Sequence, residues 1–246
     1  MRQERLYEQV MKEIAARIAD GQYAVGSRLP SERHLSQGFS VSRPTIREAL
    51  IALELDGQVE VRHGVGVVVT AASPAGGKAI EADFGPFEVL EARRAIESEV
   101  CALAAQHADA DDIVALEALL EEMAALSDDI IKGEEADRQF HLAIARASRN
   151  SAMEAVVEQL WEMRDRSAQY RLVTDKARAA GVAPVVDEHR AILDAIRAHD
   201  PDLARTNMRN HLSRVLHDLL HATEAHEIEK VKAKVRAERD RYAPVS

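Results

Sequence analysis

Apolar and polar residues alternate with a helical period along most of this chain. Leu6, Val10, Ile14, Ala15 and Ile18 are spaced three to four apart and predict a first helix over Leu6–Ala19. A turn-rich connection, Gly21 to Pro30, follows. Ser31 is placed to cap a short second helix ending near Gly38, and Ser42 to cap a third, with Pro44 in the first turn, where a missing N–H does no harm. That third helix carries Ile46, Ala49, Leu50 and Leu53 and stops at Gly57. The period then shortens to two. Val59-Glu-Val-Arg-His and Val67-Val-Val-Thr flank Gly64-Val65-Gly66 and predict a hairpin. After residue 84 the pattern is helical again, with segments expected at 87–107, 111–126, 133–148, 151–172, 184–198 and 201–223.

Three helices and a small hairpin within the first 70 residues have the layout of a winged helix-turn-helix. The expected architecture is mainly α. A winged helix-turn-helix domain at 1–70 is followed by a linker of Ala, Ser, Pro and Gly character at 71–83. An all-helical bundle at 84–223 and a charged tail at 224–246 complete the chain. Low aromatic content (4%) and few Gly and Pro agree with helices and argue against an all-β sandwich. The single cysteine, Cys101, excludes an internal disulfide framework and fits a reducing compartment. With no signal-peptide core and no apolar run long enough to span a bilayer, a soluble cytoplasmic protein is expected.

Charge separates the two halves. Residues 1–70 hold nine basic and nine acidic side chains, so the formal net charge of −10 belongs to residues 71–246. Between Arg28 and Arg47 there are four arginines against Glu32 alone. Arg43, Thr45 and Arg47 fall at the start of the helix that enters the major groove in this motif, with Arg33 one helix earlier and His63 and Gly64 at the tip of the wing. Arginine bonds guanine O6 and N7 bidentately, which suits base readout. The plainer reading is that these arginines pair with Glu32, Glu48 and Glu54 on the surface.

The second half carries other chemistry. In the stripe Val89, Ile96, Val100, Leu103, the inward position Arg93 needs a partner, either Glu97 four residues on or an anionic ligand. Asp137 and His141, spaced i and i+4, can chelate one metal ion. His189 and His211 sit in the apolar stripes of two later helices. Each histidine alone reads as a hydrogen-bonded core residue. One Asp and three His turned inward from three helices also suit a borderline divalent ion: zinc, or nickel, manganese or iron. His217 and His221 form a competing pair that reads mainly as surface.

Leu29-Pro-Ser-Glu-Arg33, Val41-Ser-Arg-Pro-Thr-Ile-Arg-Glu-Ala-Leu50 and Glu60-Val-Arg-His-Gly-Val-Gly66 resemble the DNA-binding domain of the GntR family of bacterial transcription regulators. The resemblance implies that Arg33, Ser42, Arg43, Thr45, Arg47, His63 and Gly64 meet operator DNA. Glu91-Ala-Arg-Arg-Ala-Ile-Glu97, Asp137-Arg-Gln-Phe-His141, Ala147-Ser-Arg-Asn150, Glu188-His-Arg-Ala-Ile-Leu193 and His211 resemble the FCD effector domain of the FadR subfamily. That implies a metal on Asp137, His141, His189 and His211, and an effector near Arg93 and Asn150. Phe84 to Ser98 and Asn150 to Trp161 are most similar to the hexuronate regulators of the ExuR and UxuR type. The implied protein is a homodimeric repressor that binds pseudo-palindromic double-stranded DNA and is released by a small carboxylate, a hexuronate by preference. Lactate or gluconate, or a purely structural metal, are the alternatives. A metal-dependent enzyme is the remote one, since Glu188, the obvious base, is turned about 100° from His189 by helical phase.

Overall fold

A computed structural model describes residues 5–62, 66–73, 84–126 and 129–225. Within it the chain divides into two units, 1–85 with 220–246, and 86–219. His63, Gly64, most of the expected linker and nearly all of the expected tail lie outside the described residues.

The first unit contains α1 (Leu6–Ala19), α2 (Glu32–Phe39), α3 (Arg43–Leu55), β1 (Val59–Arg62) and β2 (Gly66–Val69). The expected caps form: Ser31 Oγ accepts from His34 N–H and Ser42 Oγ from Thr45 N–H, both at 3.3 Å, satisfying donors that a helix start leaves orphaned. Tyr7, Val10, Ile14 and Ile18 of α1 pack with Ile46, Ala49, Leu50 and Leu53 of α3, and Leu29, Leu35, Val59 and Val69 close the same core. The antiparallel strands pair Val59 with Val69 and Arg62 with Gly66. Gly66 has φ +103°, a backbone conformation that calls for glycine at the start of β2.

The second unit is helical: α4 (Pro86–His107), α5 (Ala110–Ala125), α6 (Ile130–Ala147), α7 (Ser151–Arg166), α8 (Ala168–Ala179), α9 (Val186–Arg197) and α10 (Pro201–Ala225, of which the residues to Leu219 belong here). Helix α4 packs against α6, α7 and α9, and α5 against α6 and α9. Cys101, Ala104, Leu116, Phe140, Ile144, Ile192, Leu193 and Met208 belong to the resulting core. An interior so crossed by helices explains why α4 buries residues around most of its circumference.

One expectation is corrected. The helix read as continuous over 151–172 is two helices, because Ser167 leaves the helical region (φ −73°, ψ 120°) and caps a new helix, its Oγ accepting from Tyr170 N–H at 3.1 Å. Helix α8 then runs on to Ala179, burying Tyr170, Val173 and Ala177. Because Ser167 is fully buried, its cap has no water to replace it. Ser167→Ala is expected to cost about 1 kcal/mol, read as a melting temperature lowered by about 2–4 °C.

Candidate functional site

The side chains that converge in the second unit come from three helices. Asp137 and His141 stand one turn apart on α6, His189 is on α9 and His211 on α10. One ligand atom from each lies within 4.8 Å of all the others. The His189 and His211 ring centroids are 4.4 Å apart, and those of His141 and His211 5.3 Å. All three imidazoles are buried.

Their orientation is set from behind. His141 Nδ1 donates to Glu97 Oε2 at 2.5 Å, His189 Nδ1 to the Val185 carbonyl at 2.9 Å, and His211 Nδ1 to Glu188 Oε2 at 2.9 Å. Each acceptor holds the proton on Nδ1, which directs Nε2 of all three rings to the centre. This is the outer arrangement that metal-bound histidines require. At the centre, His189 Nε2 lies 2.8 Å from Asp137 Oδ1. His141 Nε2 is buried and has no hydrogen-bond partner among the described residues. A buried imidazole nitrogen left unpaired is costly, and a bound cation would satisfy it.

Protonation within the cluster is divided. Burial, with His189 and His141 close by, pushes His211 down to about 4, so that ring is neutral near pH 7. Burial works against the Asp137 carboxylate, but the hydrogen bond with His189 and the neighbouring His141 and His211 rings hold it well below the usual carboxylate range. Neutral His211 and ionised Asp137 are ligand forms. At His189 burial opposes the charged form but the Asp137 contact raises the pKa, so a metal ion there displaces a proton from His189. Three nitrogens and one oxygen suit a borderline divalent ion, and Asp137, His141, His189 and His211 would hold it.

Arg93 has the partner anticipated four residues on. Its Nε donates to Glu97 Oε1 at 2.6 Å, and its guanidinium carbon lies 3.8 Å from the centroid of the Trp161 ring. Burial favours the neutral form of Glu97, yet Arg93 and His141 lower it to about 2. Arg93 also lines a hollow of about 620 Å³, counted with the solvent at its mouth, whose wall includes Asp137 and His211. Its other walls include Glu134, Arg164, Tyr170, Arg178 and Arg214. Asn150, expected beside the effector, is not among the lining residues. It is exposed and caps α7, its Oδ1 accepting from Met153 N–H at 3.2 Å.

The profile of the gntR family of bacterial regulatory proteins matches residues 6–69, and that of the FCD domain matches residues 88–214. The Exu regulon transcriptional regulator of Escherichia coli (strain K12) is 37% identical over 213 residues, spanning 85% of this chain and 82% of that protein. The Uxu operon transcriptional regulator of the same strain is 36% identical over 227 residues, 88% of each. The chain belongs to the GntR family. Its FCD domain places this GntR regulator among transcription regulators rather than enzymes. A solved GntR family member from Pseudomonas syringae pv. tomato str. DC3000 shares the fold, with TM-score 0.50 at 22% identity over 93% of this chain and 88% of that one. None of the regulator's described helices is long and apolar enough to cross a membrane.

In the DNA-binding unit of this GntR regulator the expected contact residues are not alike. Arg33, Ser42 and Arg43 are exposed and Thr45 is half-buried. Arg47 is only 3% exposed, and its guanidinium pairs with both carboxylate oxygens of Glu32. Sequence reasoning missed the cavity lining contributed by α8 and the role of Glu188 at His211, which crosses from α9 to α10; Glu188 stood there only as an enzyme's base. Glu97 had been weighed only as a partner for Arg93.

Titration of the metal-free GntR regulator with zinc is expected to give one ion per chain. Glu188→Gln is expected to weaken that binding about 10–100-fold, while the metal-free melting temperature moves little because Glu188 is partly exposed. Unchanged zinc affinity would deny Glu188 its positioning part.

Proposed function

We propose that this GntR regulator is a homodimeric repressor of sugar-acid catabolism, released from its operator when a hexuronate enters the cavity beside the metal centre. The observation that carries the reading is that Asp137 and His211 belong both to the four-ligand cluster and to the wall of the cavity. The likeness to regulators named for the Exu regulon and the Uxu operon supports the hexuronate.

A divalent ion there supplies a Lewis-acid centre for the carboxylate and neighbouring hydroxyl of a sugar acid. The chain's own residues do the rest. Glu97, Val185 and Glu188 hold the imidazoles in register, and Arg93 stands at the cavity wall with its charge balanced by Glu97. Because Arg93 is already paired, it acts as a hydrogen-bond donor of fixed position rather than as a bare counter-ion. The effector releases DNA only to the extent that it binds the DNA-incompetent arrangement of the dimer more tightly.

On the operator side, exposure divides the arginines. Arg33 and Arg43, with Ser42, Thr45, His63 and Gly64, are proposed to meet DNA, Arg43 from the first turn of α3. Arg47 is proposed to act through Glu32, by tying α3 to α2.

Three outcomes test these roles. Galacturonate or glucuronate at 100 times its Kd adds about 2.7 kcal/mol to the metal-loaded protein, a rise of about 5–10 °C at this size. That rise is expected to vanish with a chelator. Its survival after metal removal would make the ion purely structural, and no rise with either uronate would remove the hexuronate. In gel shifts, Arg43→Ala is expected to cost about 1–3 kcal/mol of operator affinity with the uronate response intact. Arg47→Ala is expected to lower the melting temperature as well, an effect absent from Arg43→Ala. Equal melting of the two variants would refute the division.

A further inference from the structure

The cavity beside the metal centre shares one wall with a second, outer hollow. Glu134, Arg164, Tyr170, Thr174 and Arg178 line both. At the centre of this wall the Glu134 carboxylate accepts two hydrogen bonds from one guanidinium, Arg178 Nε at 2.8 Å and Nη2 at 2.6 Å, and a longer one from Arg164 Nη2 at 3.4 Å. Arg164 is further held against aromatic faces, 4.6 Å from the Trp161 centroid and 5.2 Å from that of Tyr170. The clasp therefore joins α6, α7 and α8 at one point, with its polar groups oriented before any ligand arrives.

Its position on α6 relates it to the metal centre. Glu134 precedes Asp137 by three residues and so shares its face, about 4.5 Å away along the helix axis. A molecule held by its carboxylate at Asp137 and His211 shares the cavity with this clasp. The clasp is mixed in character, with two guanidinium groups that have N–H donors to spare and a carboxylate with unused lone pairs. Hydroxyl groups, each both donor and acceptor, complement such a pattern. A second carboxylate would meet the charge of Glu134. A three-carbon hydroxy acid whose carboxylate and single hydroxyl are both taken up at Asp137 and His211 has no hydroxyl left for the clasp.

We infer that the Glu134–Arg178 clasp, braced by Arg164, is the specificity-determining subsite of the effector cavity. It reads the hydroxyl-bearing end of a six-carbon sugar acid and discriminates against short hydroxy acids and against sugar di-acids. The inference rests on the sugar-acid reading above and adds to it the means of selection. Lacking the matching hydroxyls, a ligand covers the clasp while leaving its spare N–H donors and carboxylate lone pairs unanswered, which is how a polar site rejects an analogue.

The test is calorimetry on the full-length, metal-loaded protein with galacturonate, glucuronate, galactarate and lactate, comparing wild type with Glu134→Gln and Arg178→Lys. Glu134→Gln keeps the shape and removes the charge, while Arg178→Lys keeps the charge and removes the bidentate fork. The wild type is expected to bind a hexuronate at least about 10-fold more tightly than lactate or galactarate. Both variants are expected to lose about 10- to 100-fold in hexuronate affinity, the scale of a hydrogen bond to a charged group. Lactate affinity should change by less than about threefold, and bound metal should stay at the wild-type level. Wild-type hexuronate affinity in both variants overturns the subsite and leaves the effector reading standing. Equal losses for hexuronate and lactate also overturn it, because a clasp that merely ties helices together would act on both. A wild type that binds neither uronate overturns the effector reading and this inference with it.

Discussion

The second unit is organised around one buried carboxylate. Glu97 lies inside the helical bundle with the Arg93 guanidinium on one side and the His141 imidazole on the other. All three are almost wholly removed from solvent. None tolerates burial alone, since an isolated charge in a protein interior costs several kcal/mol. Together they close: Arg93 cancels the charge, Trp161 covers the guanidinium face, and His141 takes the second oxygen. Glu97 thereby fixes which nitrogen of His141 carries the proton, and so what the ring presents to Asp137, His189 and His211. The four-ligand cluster, the cavity wall at Arg93 and the packing of α4 on α6 all pass through this contact. Glu188 repeats the device at His211 from a partly exposed position, where its loss is less costly to the fold.

Much of this was legible along the chain, where the signal is local. Ser31 and Ser42 announce their helices because an N-cap needs a short side-chain acceptor. The change of period at Val59 marks the hairpin. Asp137 and His141 declare a shared face by spacing alone. The break between α7 and α8 left no such mark. No glycine or proline stands near Ser167, and Trp161, Tyr170, Val173 and Ala177 keep an apolar pattern running past it. With α8 unseen, so were Tyr170, Thr174 and Arg178 on the cavity wall.

Arg47 shows a second limit of local reading. It is four residues from Arg43 and shares its face, yet one is exposed and the other buried. Two neighbours make the difference: Glu32, fifteen residues earlier, grips Arg47 closely and Arg43 only at 3.8 Å, and Arg47 Nη1 also donates to the Leu220 carbonyl at 2.7 Å. Helical phase places a side chain on a face; what covers that face depends on a neighbouring helix. Asn150 is the converse case, since a motif position taken for a binding residue serves the backbone of its own helix.

The sugar-acid effector proposed above would be an anion entering a chain with a formal net charge of −10. At physiological ionic strength, charges beyond about 8 Å are largely screened, so the residues at the cavity decide. There Arg93, Arg164, Arg178 and Arg214 line the wall, each held by a carboxylate: Glu97, Glu134 for the middle two, and Glu188. Unpaired, four guanidinium groups in one cavity would repel one another and would attract any small anion. Paired, they keep fixed directions and spare donors while the excess positive charge is small. Selection then falls to the match of hydrogen bonds rather than to charge, which favours a hydroxylated acid over simpler anions of equal or greater charge.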